Sequence, residues 1–310
     1  MKTDIPLNGT CIRKSARRSI QYLFFFTLPF LSSCIRDDLK PCPPLQVELS
    51  VKDKNYFNID NVPLEIRKSE SLAFRQYVPT LYYTLRNAET GDIVEEQGIF
   101  NVTDNAPTHS ITFCECLPFG KYILTTWGGL TDNSQLTDQS LTGILHANQA
   151  EANDIYLAHD TLVYDDQHVY HSLELQRATG KLLVQIIDLP ATVRYEDSSI
   201  GQIYERVNHT FKYTNPVTIR KQDTWNVTSN IVLHTILAPS TGEYQSLLHL
   251  NLYDKAERTT PTLTPKDVNI TLKRNELTTL KYVYDDEKRD FNIFLLVDDA
   301  WEIIYSLEID

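Results

Sequence analysis

Leu45-Gln46-Val47-Glu48-Leu49-Ser50-Val51-Lys52 alternates apolar and polar residues without a break. Successive side chains of a strand point to opposite faces. The pattern therefore predicts a half-buried strand with one face in a core. The same period recurs downstream. Residues 80–86 and 93–100 flank Asn87-Ala88-Glu89-Thr90-Gly91-Asp92, which predicts a hairpin. Residues 109–117 and 121–126 flank Pro118-Phe119-Gly120, which predicts a second tight turn. Leu182, Val184 and Ile186 alternate within residues 181–187, and further strands are expected over 172–176, 207–213, 230–237, 247–253, 269–273, 278–284, 291–297 and 302–309. No segment beyond residue 170 carries a 3.6-residue period. Short strands joined by turns in this way predict an all-β protein built of sandwiches. Leu64, Ile66, Leu72 and Phe74 could lie on one short helix, and residues 128–150, poor in apolar groups, read as a long surface loop.

Composition agrees. The chain has 310 residues, 42% of them hydrophobic, with 17 Tyr but only 10 Gly. That is enough apolar material for packed cores, and it is rich in strand-forming types. The length points to two domains, and the expected division is 45–162 and 163–310. The net charge is −12. Lys2, Arg13, Lys14, Arg17 and Arg18 against Asp4 make residues 1–33 positive by four, which leaves the remainder at −16. So acidic a surface lacks the basic footprint that nucleic acid requires, and it does not adhere electrostatically to anionic lipid.

Residues 1–33 read as an export signal. A basic stretch, Arg13 to Arg18, precedes the apolar run Tyr22-Leu23-Phe24-Phe25-Phe26-Thr27-Leu28-Pro29-Phe30-Leu31. A spanning helix needs roughly 20 apolar residues, so this run is too short to cross a bilayer and fits a secretory signal core. Leu31-Ser32-Ser33-Cys34 resembles the bacterial lipobox. Cleavage between Ser33 and Cys34 would leave a cysteine thiol to receive the lipid. Residues 34–44, with Pro41, Pro43 and Pro44, read as an extended tether.

With Cys11 removed and Cys34 lipidated, Cys42, Cys114 and Cys116 are the candidates for a disulfide. Cys114 and Cys116 share one face of a strand, at about the upper limit of Cα separation for a bond, so a bond from Cys42 to either is easier. No metal site is expected from Cys114 and Cys116, because no second Cys pair or matching His pair accompanies them. Asp53-Lys54-Asn55-Tyr56-Phe57-Asn58-Ile59-Asp60 lacks the Gly of a calcium loop and reads as a polar turn. His159, His168 and His171 with Asp160, Asp165 and Asp166 read as a solvated linker. No nucleophile elbow, phosphate loop or zinc motif is present, so the reading is of a protein that is not an enzyme and takes no cofactor.

Two stretches carry a family resemblance. Cys34-Ile35-Arg36-Asp37-Asp38-Leu39-Lys40-Pro41-Cys42-Pro43 is similar to the lipidated cysteine, acidic pair and second cysteine of the FimB/Mfa2 family of fimbrial anchor lipoproteins of Bacteroidales. Leu117-Pro118-Phe119-Gly120-Lys121-Tyr122-Ile123-Leu124-Thr125-Thr126-Trp127-Gly128-Gly129 resembles that family's turn and strand ending in Trp-Gly, and Gly180-Lys181-Leu182-Leu183-Val184-Gln185 falls where the family opens its second strand set. The resemblance implies two tandem transthyretin-like β-sandwiches and a lipid on Cys34 in the outer membrane, with the protein surface-exposed. It further implies pilin subunits as partners through strand pairing, at the base of a shaft whose length the protein helps limit. The residues leave a competing reading: a surface glycan-binding lipoprotein, with Trp127, Trp225 and Trp301 as an exposed aromatic platform.

Overall fold

The computed structural model describes residues 43–58, 67–113, 117–226 and 229–305. Alternation opens the first sandwich: β1 (Gln46–Val51) buries Val47, Leu49 and Val51. The segment read as a short helix contributes one turn, α1 (Phe74–Tyr77); residues 59–66 lie outside the described residues. The predicted hairpin forms as β2 (Thr80–Asn87) and β3 (Ile93–Asn101). β4 (His109–Thr112) and β5 (Gly120–Gly128) follow, but they do not pair with each other. β4 lies antiparallel to β1, while β5 lies between β2 and the later strand β8. The Pro118–Gly120 turn therefore carries the chain from one layer to the other, because each strand finds a longer-range partner.

Residues 128–150 are not a free surface loop. They contain β6 (Leu136–Thr137) and β7 (Thr142–Ile144), and they bury Leu130, Gln135, Leu145 and His146. His146 Nδ1 donates to the Ala150 carbonyl at 2.8 Å, and its Nε2 accepts from the Ala238 N–H at 3.0 Å. Burial pushes this imidazole down to about 4, so it is held neutral.

The stretch read as a solvated linker is ordered strand: β8 (Tyr156–Tyr164) and β9 (Tyr170–Arg177). β9 runs parallel to β1, pairing Gln46 with Tyr170 through Val51 with Leu175. The expected division at 162/163 thus falls inside β8. Leu173 and Leu175 fill the first core, and that placement draws β9 into the first sandwich. The seven-stranded sheet has the order β3-β2-β5-β8-β9-β1-β4. β8 and β9 share only two register pairs, Tyr156–Arg177 and Leu157–Gln176. The sheet folds at that corner, and β4-β1-β9 packs against β8-β5-β2-β3 through Leu49, Leu81, Leu85, Leu124 and Tyr164.

After Ala178 the chain builds a second sandwich. Its strands are β10 (Gly180–Ile187), β11 (Tyr195–Asn208), β12 (Tyr213–Thr224), β13 (Asn230–Leu237), β14 (Ser246–Tyr253), β15 (Val268–Ile270), β16 (Leu277–Asp285), β17 (Asp290–Val297) and β18 (Ala300–Tyr305). One sheet runs β13-β10-β16-β17-β18; the other runs β15-β14-β11-β7-β6, with β12 also paired to β11. The expected strand over 207–213 is instead the turn between β11 and β12, a long ribbon whose polar residues mask its alternation.

A third apolar cluster joins the sandwiches. Trp127, from the Trp-Gly stretch, is completely buried with Tyr82, Leu157, Ala178, Val207 and Ala238, and its Nε1 donates to the Ser140 carbonyl at 2.8 Å. A Cβ on Gly143 would stand 2.8 Å from that ring, and Gly129 (φ 82°) brings its backbone against the Asp154 carbonyl. At the same junction Arg177 is buried. Its Nε donates to Asp154 Oδ1 at 2.8 Å, one terminal nitrogen donates to Asn275 Oδ1 at 2.6 Å, and the other donates to the Tyr156 hydroxyl at 2.5 Å.

The second core holds one carboxyl among aliphatic residues. Glu196 is buried beside Leu182, Val184, Leu233 and Leu250, and its Oε2 has no partner among the described residues. Burial lifts this carboxyl from its usual value to about 7, and Asp223, opposite it on β12, adds to the shift.

Two stability predictions follow from these buried charges. Ionising Glu196 is disfavoured only in the folded state, so stability is lost as pH rises from about 4.5 to above 7. Glu196→Gln should match the native chain at about pH 4 and exceed it at about pH 8 by up to about 3 kcal/mol in chemical denaturation; equal stability at both pH values would refute the assignment. Arg177→Met should cost about 3 kcal/mol by the same method, because the carboxylate of Asp154 loses its counter-charge. Replacing Asp154 by Leu as well should recover part of that loss.

Candidate functional site

Cys34, the expected lipid attachment residue, and Ser33 before it lie outside the described residues. So do Cys42, Cys114 and Cys116, the disulfide candidates. The histidine set is dispersed. His159 accepts or donates at Thr125 Oγ1 (2.8 Å), with His209 packed at 4.3 Å between ring centroids. His168 pairs with Asp165 at 2.7 Å, and His171 meets the Val163 carbonyl at 2.9 Å. Among the described residues no three His, Cys, Asp or Glu side chains gather as a metal site, and no helix is long and apolar enough to cross a membrane. The aromatic platform is not formed: Trp127 is in the core, and Trp225 is partly buried with its Nε1 bonded to the Val193 carbonyl at 3.0 Å. Trp301 alone of the three is exposed.

A β-sandwich that associates through its backbone does so at a sheet edge, and most edges here are blunted. β4, β15 and β6 have four, three and two residues. β3 carries Glu95 and Glu96 and two breaks in register, and Asn133 caps its Ile99 N–H at 3.3 Å. β12 contains Pro216, Arg220 and Lys221. β13 is covered: Lys221 donates to the His234 carbonyl, Glu151 accepts from the Ile236 N–H at 2.8 Å, and Ala152 donates to the Ile236 carbonyl at 3.1 Å. Short, charged, proline-bearing or covered edges resist pairing with other chains.

β18 differs. Its sequence, Ala-Trp-Glu-Ile-Ile-Tyr, has one charge and no proline. Its one strand partner among the described residues is β17, reached through a two-residue turn in which Asp298 and Asp299 both have positive φ (43° and 68°). Such turns match the twist of a hairpin. Trp301 is 38% exposed, Ile303 60% and Ile304 40%. Opposite Trp301 and Ile303 on β17 stand Leu296 and Phe294. Lys281 lies over both rings of this face, 4.1 Å from Trp301 and 4.8 Å from Phe294. Past Ile303 a bulge at Ile304 turns Tyr305 back toward the core, where its hydroxyl donates to Asp290 at 3.3 Å.

Among the described residues the edge therefore offers unpaired backbone groups beside a ready apolar surface, which suits the addition of an extended strand. The sequence predicts a strand over 302–309 but misses its first residues, Ala300 and Trp301; residues 306–309 lie outside the described residues. The Asp298-Asp299 pair between two apolar stretches was the available signal. Another groove adjoins an edge: a cleft of 370 Å³ where β3 and β4 face each other, lined by Tyr83, Phe100, His109 and Ile111. Phe100 and His109 meet across it at 5.9 Å.

No family model matches the sequence, and no curated protein matches it. Solved structures do. A candidate adhesin of Bacteroides thetaiotaomicron is 14% identical with a TM-score of 0.56, over 86% of this chain and 100% of that one. A candidate polysaccharide-binding protein of the same organism is 12% identical with a TM-score of 0.53, over 85% and 98%. The fimbrial anchor protein Mfa2 of Porphyromonas gingivalis is 11% identical with a TM-score of 0.48, over 84% and 100%. The first two share the fold of this chain over nearly their whole length, and that fold is the all-β one that the alternation predicts.

Proposed function

We propose that this chain is a lipid-anchored accessory subunit of a fimbria. Lipid on Cys34 holds it in the outer membrane, facing outward, and the β18 edge receives a strand of the adjoining pilin. The shaft is thereby tethered to the cell surface and its length limited. The observation that carries this reading is the open apolar edge at Trp301–Ile303, in a protein whose other edges are short, charged or covered. A fold in common with a candidate adhesin and the lipobox at Leu31–Cys34 support it. The physical division of labour is simple. Buried acyl chains contribute about 0.8 kcal/mol per CH₂ toward membrane attachment, and backbone pairing supplies a directional grip on the partner.

Deleting the gene should release long fimbriae into the medium. Cys34→Ser should fail to incorporate labelled fatty acid and should shed the protein together with its filaments. Trp301→Lys with Ile303→Lys should keep the protein in the membrane while filaments detach, because two charges on an exposed edge block strand addition without disturbing the core. Filaments that remain attached to cells carrying the double-lysine variant would place the pilin contact elsewhere, with the β3–β4 cleft next to be tested.

A further inference from the structure

A second surface feature lies beside the start of β16. The β16–β17 ladder ends at Leu280 and Leu295, and beyond that pair a cleft of 420 Å³ opens. This is in the usual range for a small-ligand site. Its walls come from four segments remote in sequence: the turn after β1, the loop between β13 and β14, the approach to β16 and the end of β17.

Two aromatic rings line it, Phe57 and Tyr244, and each is 65% exposed. Their backbones are nevertheless fixed. The Phe57 N–H donates to the Asn275 carbonyl at 3.1 Å, and the Tyr244 N–H donates to Thr271 Oγ1 at 2.8 Å. Tyr244 is also held at φ 51°, a region that a bulky side chain adopts only at a cost. Exposed rings leave apolar faces uncovered, and a ligand with apolar faces of its own would cover them.

Two observations select the ligand. An extended peptide would pair with the free side of β16, but Asn58 already occupies Leu277 there, accepting from its N–H at 3.0 Å and donating to its carbonyl at 2.8 Å. The lining charges are Glu243, Glu276 and Asp298 against Lys273, with Lys273 and Glu276 paired at 3.6 Å, so anionic ligands are repelled. We infer that the cleft bounded by Phe57 and Tyr244 binds a neutral oligosaccharide. The C–H faces of its sugar rings cover the two aromatic rings, and its hydroxyls meet the flanking carboxylates. The chain is then a saccharide-binding adhesin as well as a fimbrial subunit, and the two roles use different residues.

The test is binding of the detergent-solubilised full chain to a panel of neutral, sialylated and sulfated oligosaccharides. Members of the neutral set should be retained. Phe57→Ala or Tyr244→Asn, the latter chosen because Asn tolerates positive φ, should each weaken retention about tenfold, the effect of losing one ring contact. The thermal midpoint should not change, and Trp301→Lys should leave retention intact. No retention of any neutral oligosaccharide, preference for anionic ones, or undiminished binding by the Phe57→Ala/Tyr244→Asn double variant would overturn the proposal. Filament attachment does not enter the readout, so the fimbrial reading stands or falls separately.

Discussion

The guanidinium of Arg177 is buried where the two sandwiches meet, and the arrangement of the molecule depends on how its charge is satisfied. Burial alone works against ionisation, but Asp154, with the Tyr156 and Tyr56 phenols, outweighs it and keeps the group charged. The tyrosine rings enclose the cation at 5.1 and 4.5 Å. The partners come from three parts of the chain. Asp154 and Tyr156 lead into β8, Asn275 precedes β16, and Asp53, which accepts from the Arg177 N–H at 2.8 Å, follows β1. A planar cation with five donors sets angles as well as distances. One side chain thereby fixes the end of the first sandwich against the start of the second, and Trp127 completes the junction in the apolar cluster beside it.

Rigidity at that junction determines what the surface presents. The two sandwiches share the Trp127 cluster and the bonds of Arg177, and these contacts set their edges and clefts relative to one another. Most edges are neutralised by ordinary means: too few residues, carboxylates, a proline, or side chains that take the outward-facing backbone groups. Lys221 and Glu151 do this for β13, and they also pair with each other at 3.0 Å, so the cover is itself held in place. β18 lacks such a cover among the described residues, and its apolar groups face outward on a hairpin that reaches past the core. The unevenness of protection points to function more directly than the exposure of any single residue.

Much of the fold was legible in the sequence because burial in a strand imposes a period of two. Leu45–Lys52 and Lys181–Ile187 give clean strands, and both are paired on two sides within a sheet. Asn87–Asp92 gives the hairpin because its residues supply a local turn, with Asn87 Oδ1 accepting from the Glu89 and Thr90 N–H groups. The reading fails where pairing is decided at long range. Pro118–Gly120 has the composition of a hairpin turn, yet it joins strands in different layers. β9 looks like the beginning of a second domain, yet its parallel partner β1 lies more than a hundred residues earlier. The exposed rings of Phe57 and Tyr244 sit in polar turns that composition alone reads as connectors.

The sequence by itself determined the all-β class, the net acidic charge and the places where chain turns are cheap. These follow from local chemistry: side-chain period, charge count and the special backbone freedom of a few residues. Which strands become neighbours, which edge is left open and which aromatic rings are buried were decided only in three dimensions. Burial of Arg177 and Trp127 draws on residues more than a hundred positions apart in the chain, and no local pattern records that they will meet.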